Sequence, residues 1–168
     1  MRDDNQQKNP LKTGKSLPIK PLSQTSDGSK AVVWQRIREC QDQGEAVVRD
    51  MNAAVLAFRD LFRSPCPMYL NVQKLASGAV YLRWRKSGVK GKQPYIQMEG
   101  KVGKTLLASL PPPLRQSCLG FHHRLIGLNF RHALLLAEQR RLEFYLQQLQ
   151  VLEQLKAQYW DNSSIKGN

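Results

Sequence analysis

The chain has 168 residues, 26 of them Lys or Arg against 13 Asp or Glu, for a formal charge of +13; that is one domain's length, too short for two well-cored domains plus polar ends. No apolar run approaches the roughly 20 residues of a bilayer-spanning helix, and the polar start MRDDNQQKNP leads into no hydrophobic stretch, so a cytoplasmic protein without membrane contact is expected. Cys40, Cys66 and Cys118 are an odd number at irregular spacing, which fits neither a disulfide framework nor paired zinc knuckles, while the charge excess favours a polyanionic partner.

Residues 1–28 mix Lys, Gln, Asn, Ser and Pro with few large apolar side chains, and such a segment buries too little surface to offset the entropy of ordering. A disordered basic arm is expected there, with Lys8, Lys12, Lys15 and Lys20 serving solubility or following a phosphate backbone. A single domain over 29–160 and a polar tail over 161–168 complete the division. At Ser29 a hydroxyl suited to capping precedes Val33, Ile37, Cys40, Val47, Met51, Val55, Phe58 and Phe62, whose steps of three, four and seven predict a helix. Gly44 interrupts that stripe, weakens the helix by about 1 kcal/mol relative to Ala, and marks a kink or a close crossing. Ser64-Pro65-Cys66-Pro67 ends it.

Met68–Leu75 and Ala79–Arg85, separated by Ala76-Ser77-Gly78, predict two strands and a short turn. Val80, Leu82 and Trp84 alternate with Tyr81, Arg83 and Arg85, so one face rests on the helices and the other presents a tyrosine and two arginines. Lys86–Gln93 is a basic loop, and Tyr95–Met98 supplies a third strand that a marginal hairpin needs. After Pro111-Pro112-Pro113, which suit a helix entry, Leu114, Phe121, Leu125, Leu128, Leu135, Leu142, Leu146 and Leu149 keep near-heptad spacing. This is one helix of roughly 70 Å, or two broken at Gly120 or Gly127, against about 50 Å for the first. The fold class is therefore mainly α with a small antiparallel β-ribbon. The two helical stretches pack antiparallel, and the distal part of the second is left for a protein partner or for self-association as a coiled coil.

Lys74, Arg83, Arg85, Lys86, Lys90, Lys92, Lys101 and Lys104 fall in a stretch whose only acid is Glu99. A ribbon with such an outer face sits against phosphates or enters a major groove, and Tyr81 among the cations can stack on an unpaired base. These nine residues are the candidate nucleic-acid-binding set; the plainer alternative is a strand edge guarded by charge against aggregation. Gly100-Lys-Val-Gly-Lys-Thr105 partly matches a phosphate-cradling loop, but Met98 stands where the first glycine belongs and three prolines stop the following helix, so a flexible basic turn is expected. Cys118 and His122, four apart on one helix face, with His123 and His132 nearby, supply too few metal ligands. Ser109 and Ser117 lack a nucleophile elbow. No enzyme activity, cofactor or metal is expected.

The first helix, Val80-Tyr-Leu-Arg-Trp-Arg85, and Arg124-Leu-Ile-Gly-Leu-Asn129 with the Leu/Gln-rich helix around it resemble, over roughly residues 30–155, a protein family without assigned activity encoded by integrating conjugative elements. The resemblance implies a mobile-element context and transfers no binding or catalytic residue. The ribbon is also similar to the three-stranded arm-type DNA-binding domains that precede tyrosine recombinases, although no recombinase segment follows. A non-enzymatic DNA-binding accessory protein is the expected function; the alternative is a helical scaffold for protein partners in a transfer or replication apparatus.

Overall fold

The apolar stripe of the first helix and the alternating pattern of the ribbon meet in one core. The computed structural model describes residues 26–62, 65–89 and 91–160. Its elements are α1 (Ser26–Leu61), β1 (Met68–Lys74), β2 (Val80–Lys86), β3 (Tyr95–Ile96), α2 (Lys101–Ser109) and α3 (Pro112–Tyr159). The protein is mainly helical with a small three-stranded antiparallel sheet, and the two long helices pack against each other. Most of the basic-arm segment and the polar tail lie outside the described residues.

α1 begins at Ser26, so residues 26–28 belong to the helix instead of the arm, and Ser29 lies inside it. The helix runs unbroken through Gly44, where an added Cβ would meet no atom within 4 Å. The helix continues through the glycine, and no close neighbour requires it there. Ile37, Cys40, Val47, Met51, Ala54 and Phe58 form its buried face, and Phe62, just past its end, is buried with them.

The sheet has the order β1-β2-β3, with Tyr69 opposite Arg85, Asn71 opposite Arg83 and Gln73 opposite Tyr81. Gly78, at φ 82°, makes the connecting turn possible, and its N–H donates to the Leu75 carbonyl at 3.0 Å. Met68, Leu70, Val80, Leu82 and Trp84 turn inward. Trp84 meets Phe58 edge-on at 5.2 Å, and Phe58 also touches Phe121 of α3 at 5.3 Å, which ties sheet and both helices together through aromatic pairs.

Gly100–Thr105 is not a flexible turn. It opens α2, and the reason is Gly103, which is buried against the Gln97–Met98 main chain so closely that a Cβ would lie 2.5 Å from both carbonyl oxygens. Leu110 and Pro111 then break the chain direction, and prolines occupy the first turn of α3, where a missing N–H costs nothing. α3 is one continuous helix through Gly120 and Gly127, about 72 Å long against about 54 Å for α1. Arg36 pairs with Glu138 at 2.7 Å, Arg131 with Asp50 at 3.7 Å and Lys30 with Glu153, a register that makes α1 and α3 antiparallel. Leu142, Leu146 and Leu149 are half-buried, whereas Val151–Trp160 are exposed throughout. Among the described residues no helix is long and apolar enough to cross a membrane.

Candidate nucleic-acid interface

Strand alternation sends Tyr69, Asn71 and Gln73 of β1, and Tyr81, Arg83 and Arg85 of β2, to the sheet face turned away from the helices. β3 adds Tyr95 beside Arg85. The guanidinium carbon of Arg83 lies 4.9 Å from the Tyr81 ring and 5.2 Å from that of Tyr95, and Arg85 stands 4.6 Å from Tyr95. Both arginines thus lie within cation–π distance of two tyrosine rings. Tyr69 donates its hydroxyl proton to Gln93 Oε1 at 2.9 Å, and Gln93 in turn donates to the Gly88 carbonyl at 3.0 Å, so the β2–β3 loop is pinned to this face.

No carboxylate occurs on any of the three strands. Every ion pair found among the described residues joins helical side chains, which leaves the sheet arginines without acidic partners. The Nε of Arg85 and Oε1 of Gln73 are buried without a hydrogen-bond partner. The face therefore presents arginines without acidic partners next to aromatic rings.

The nine expected residues divide. Tyr81, Arg83 and Arg85 share the outer face as anticipated. Lys74 and Lys86 do not, because they have the strand parity of Val80, Leu82 and Trp84 and stand at opposite ends of the helix-facing side. Lys74 borders a hollow with Cys40, Gly44 and His132. Lys86 and Lys101 line a groove of about 1160 Å³ between the β2–β3 edge, the start of α2 and α3. Lys104 is exposed on α2, Lys92 is exposed in the loop, and Lys90 lies outside the described residues. Tyr69, Asn71, Gln73 and Tyr95 belong to the face although composition alone did not single them out; pairing MYLNVQK with VYLRWRK in antiparallel register would have found the first three, and the pairing of β3 with β2 adds Tyr95.

The other chemical candidates are taken up by the fold. Cys118 is fully buried near Cys66, and desolvation pushes its thiol up to about 12. His122 accepts the indole N–H of Trp84 at Nδ1, 3.2 Å away, which leaves its ring proton on Nε2. Burial holds His132 below the usual histidine value. No group of three or more His, Cys, Asp or Glu fit to hold a metal occurs among the described residues. Ser109 and Ser117 donate to the Leu106 and Pro113 carbonyls, and Thr105 donates to that of Lys101, so each hydroxyl bonds its own helix. Comparison with known proteins gives no match to any family model, to any curated protein or to any solved structure.

Proposed function

We propose that this is a non-enzymatic DNA-binding accessory protein, working in the cytoplasm for the mobile or integrating conjugative element that the sequence resemblance implies, and gripping phosphates with the outer face of its sheet. The supporting observation is the Tyr81–Arg83–Tyr95–Arg85 lattice, two guanidinium forks on two rings with no acid on the sheet. Arginine forks match phosphate oxygens in pairs, and exposed ring faces accept unstacked bases. Lys86 and Lys101 on the neighbouring groove rim, with Lys92 and Lys104 beyond, extend the positive surface along a backbone.

The test is binding to short labelled duplex and single strands across a salt series. If about five phosphates are engaged, log affinity for duplex falls with log salt at a slope near −4.5. Arg83→Glu with Arg85→Glu is expected to flatten that slope by about two units and to weaken binding at every sequence. An unchanged slope and affinity in the double variant removes the sheet from the interface. No binding even at low salt abandons the nucleic-acid reading for the scaffold alternative.

A further inference from the structure

α3 is apolar on two opposed sides. Leu114, Cys118, Phe121, Leu125 and Leu128 pack toward α1 and the sheet. Half a turn away, Ile126, Phe130, Leu134, Phe144, Val151 and Leu155 stand 44–62 % exposed. From Phe130 onward the positions 130, 134, 137, 141, 144, 148, 151 and 155 alternate steps of four and three, the period of a coiled-coil seam. Among the described residues nothing covers it.

The size of this stripe argues for a partner. At side-chain areas of roughly 150–200 Å² and the exposures given, the six residues offer on the order of 500–600 Å², already the upper end for the largest patch on a monomer. Leu119, Tyr145, Leu152 and Tyr159 lengthen the exposed apolar surface. The six alone make up about two thirds of the roughly 800 Å² per partner of a standard stable interface.

We propose that the outer seam of α3 docks antiparallel on the same seam of a second copy of this chain. In the antiparallel register that sets Phe144 of one copy against Leu134 of the other, Arg141 faces the small Ala137 and Phe130 faces the long stem of Gln148. Arg141 is then brought beside the other copy's Glu138, the acid on the border of the seam, which is still 41 % exposed while bound to Arg36. A parallel seam would instead set Arg141 on Arg141 with no acid between them. Because each copy carries +13, long-range repulsion opposes the dimer, so its stability comes from the apolar seam and rises as salt screens the charge. This pairing does not depend on the DNA-binding reading.

Sedimentation equilibrium of the full chain tests it, over about 1 to 100 µM and at low and high salt. The expected species is twice 19.2 kDa, with tighter association at higher salt; a monomer under all conditions overturns the proposal. Phe130→Glu with Phe144→Glu should return the monomer mass with the helical circular dichroism unchanged, since both side chains are exposed; Val151→Lys, outside the core, should weaken association at least about tenfold. A dimer indifferent to these changes overturns the seam. Leu134→Cys and Phe144→Cys copies should form a disulfide-linked dimer only when mixed, and cross-linking within either population alone overturns the antiparallel direction.

Discussion

Asn129 does for the free edge of β2 what a neighbouring strand would do. Its Oδ1 accepts the Leu82 N–H at 2.8 Å, and its Nδ2 donates to the Leu82 carbonyl at 2.9 Å. β3 pairs with β2 only at Trp84 and Arg85, so without Asn129 both Leu82 groups face the flank of α3 unpaired. An unsatisfied buried donor or acceptor costs about 1–3 kcal/mol; for two at a part-buried edge that water can reach, Asn129→Ala should cost about 2–3 kcal/mol in total. Asn129→Asp is the sharper perturbation. An ionised carboxylate keeps the acceptor for the N–H but sets its other oxygen about 2.9 Å from a carbonyl oxygen, whereas the neutral acid restores a donor there. The folded state thus favours the proton and raises the introduced carboxyl above its unfolded value. Its stabilising contribution is present below the ordinary carboxylate range and is lost as pH rises through the raised value. Urea titrations of the variant and the parent should show a penalty larger near pH 7 than near pH 4 by about 1–2 kcal/mol, with faster amide exchange at Leu82. An equal penalty at both pH values and an unchanged Leu82 exchange rate would refute the bridging role.

Gly103→Ala should lower stability by about 1–3 kcal/mol despite the better helix propensity of Ala, because the new methyl meets main-chain atoms at 2.5–2.6 Å; Gly120→Ala, facing open space, should instead stabilise by about 0.5–1 kcal/mol. Matching urea midpoints for the two would contradict the packing account. His132, held below its ordinary 6.5 by burial, takes up its proton less readily folded than unfolded. Stability should therefore drop as pH falls below about 6.5 toward the lowered value, and His132→Leu should remove that part of the slope. Glu138 and Glu39 are held below 4.5 chiefly by hydrogen bonds from Arg36. Their contribution is present above 4.5 and disappears as pH falls through the lowered values, so Arg36→Met should unfold over a narrower acid range; identical acid transitions would count against it.

The parts of this fold that local pattern controls were legible. Ile37, Cys40, Val47, Met51, Phe58 and Phe62 are buried as their spacing required, and Val80, Leu82 and Trp84 face inward against Tyr81, Arg83 and Arg85. The same parity, carried two steps further, places Lys86 with the inward set, a reading that charge clustering obscured. α2 was not legible because its nine residues include a glycine and two lysines, and its position is set by the fit of Gly103 on a turn that exists only in the folded chain. Asn129 reads as an ordinary polar position between Leu128 and Phe130, since its partner is 47 residues away. The outer stripe of α3 was overlooked for a different reason: two opposed apolar faces cancel the amphipathic signal that usually marks a helix's buried side. The leucines that spacing offered for a partner, Leu142 and Leu149, are half-buried, while Phe130 and Phe144 stand free.

The two proposed surfaces adjoin at Ile126, which lines the groove beside β2 and β3, and the Tyr–Arg face of the sheet lies beyond that contact. The sheet turns its inner face to the helices and its Tyr–Arg face outward, while the seam from Phe130 onward stands exposed on α3. A second copy on the seam therefore leaves both sheet faces open, related by a two-fold axis as in many dimeric DNA-binding proteins. On a duplex long enough to touch both, the second contact forms at the high effective concentration of a tethered partner. On a duplex that reaches only one, it does not. Phe130→Glu with Phe144→Glu, which leaves every sheet residue in place, should weaken binding to the long duplex by tenfold or more, within the range that bivalency commonly supplies, and leave the short one unaffected. Equal losses on both would mean that the substitutions disturb the sheet itself; no loss on either would mean that each sheet face binds alone, and that dimerisation serves some other contact.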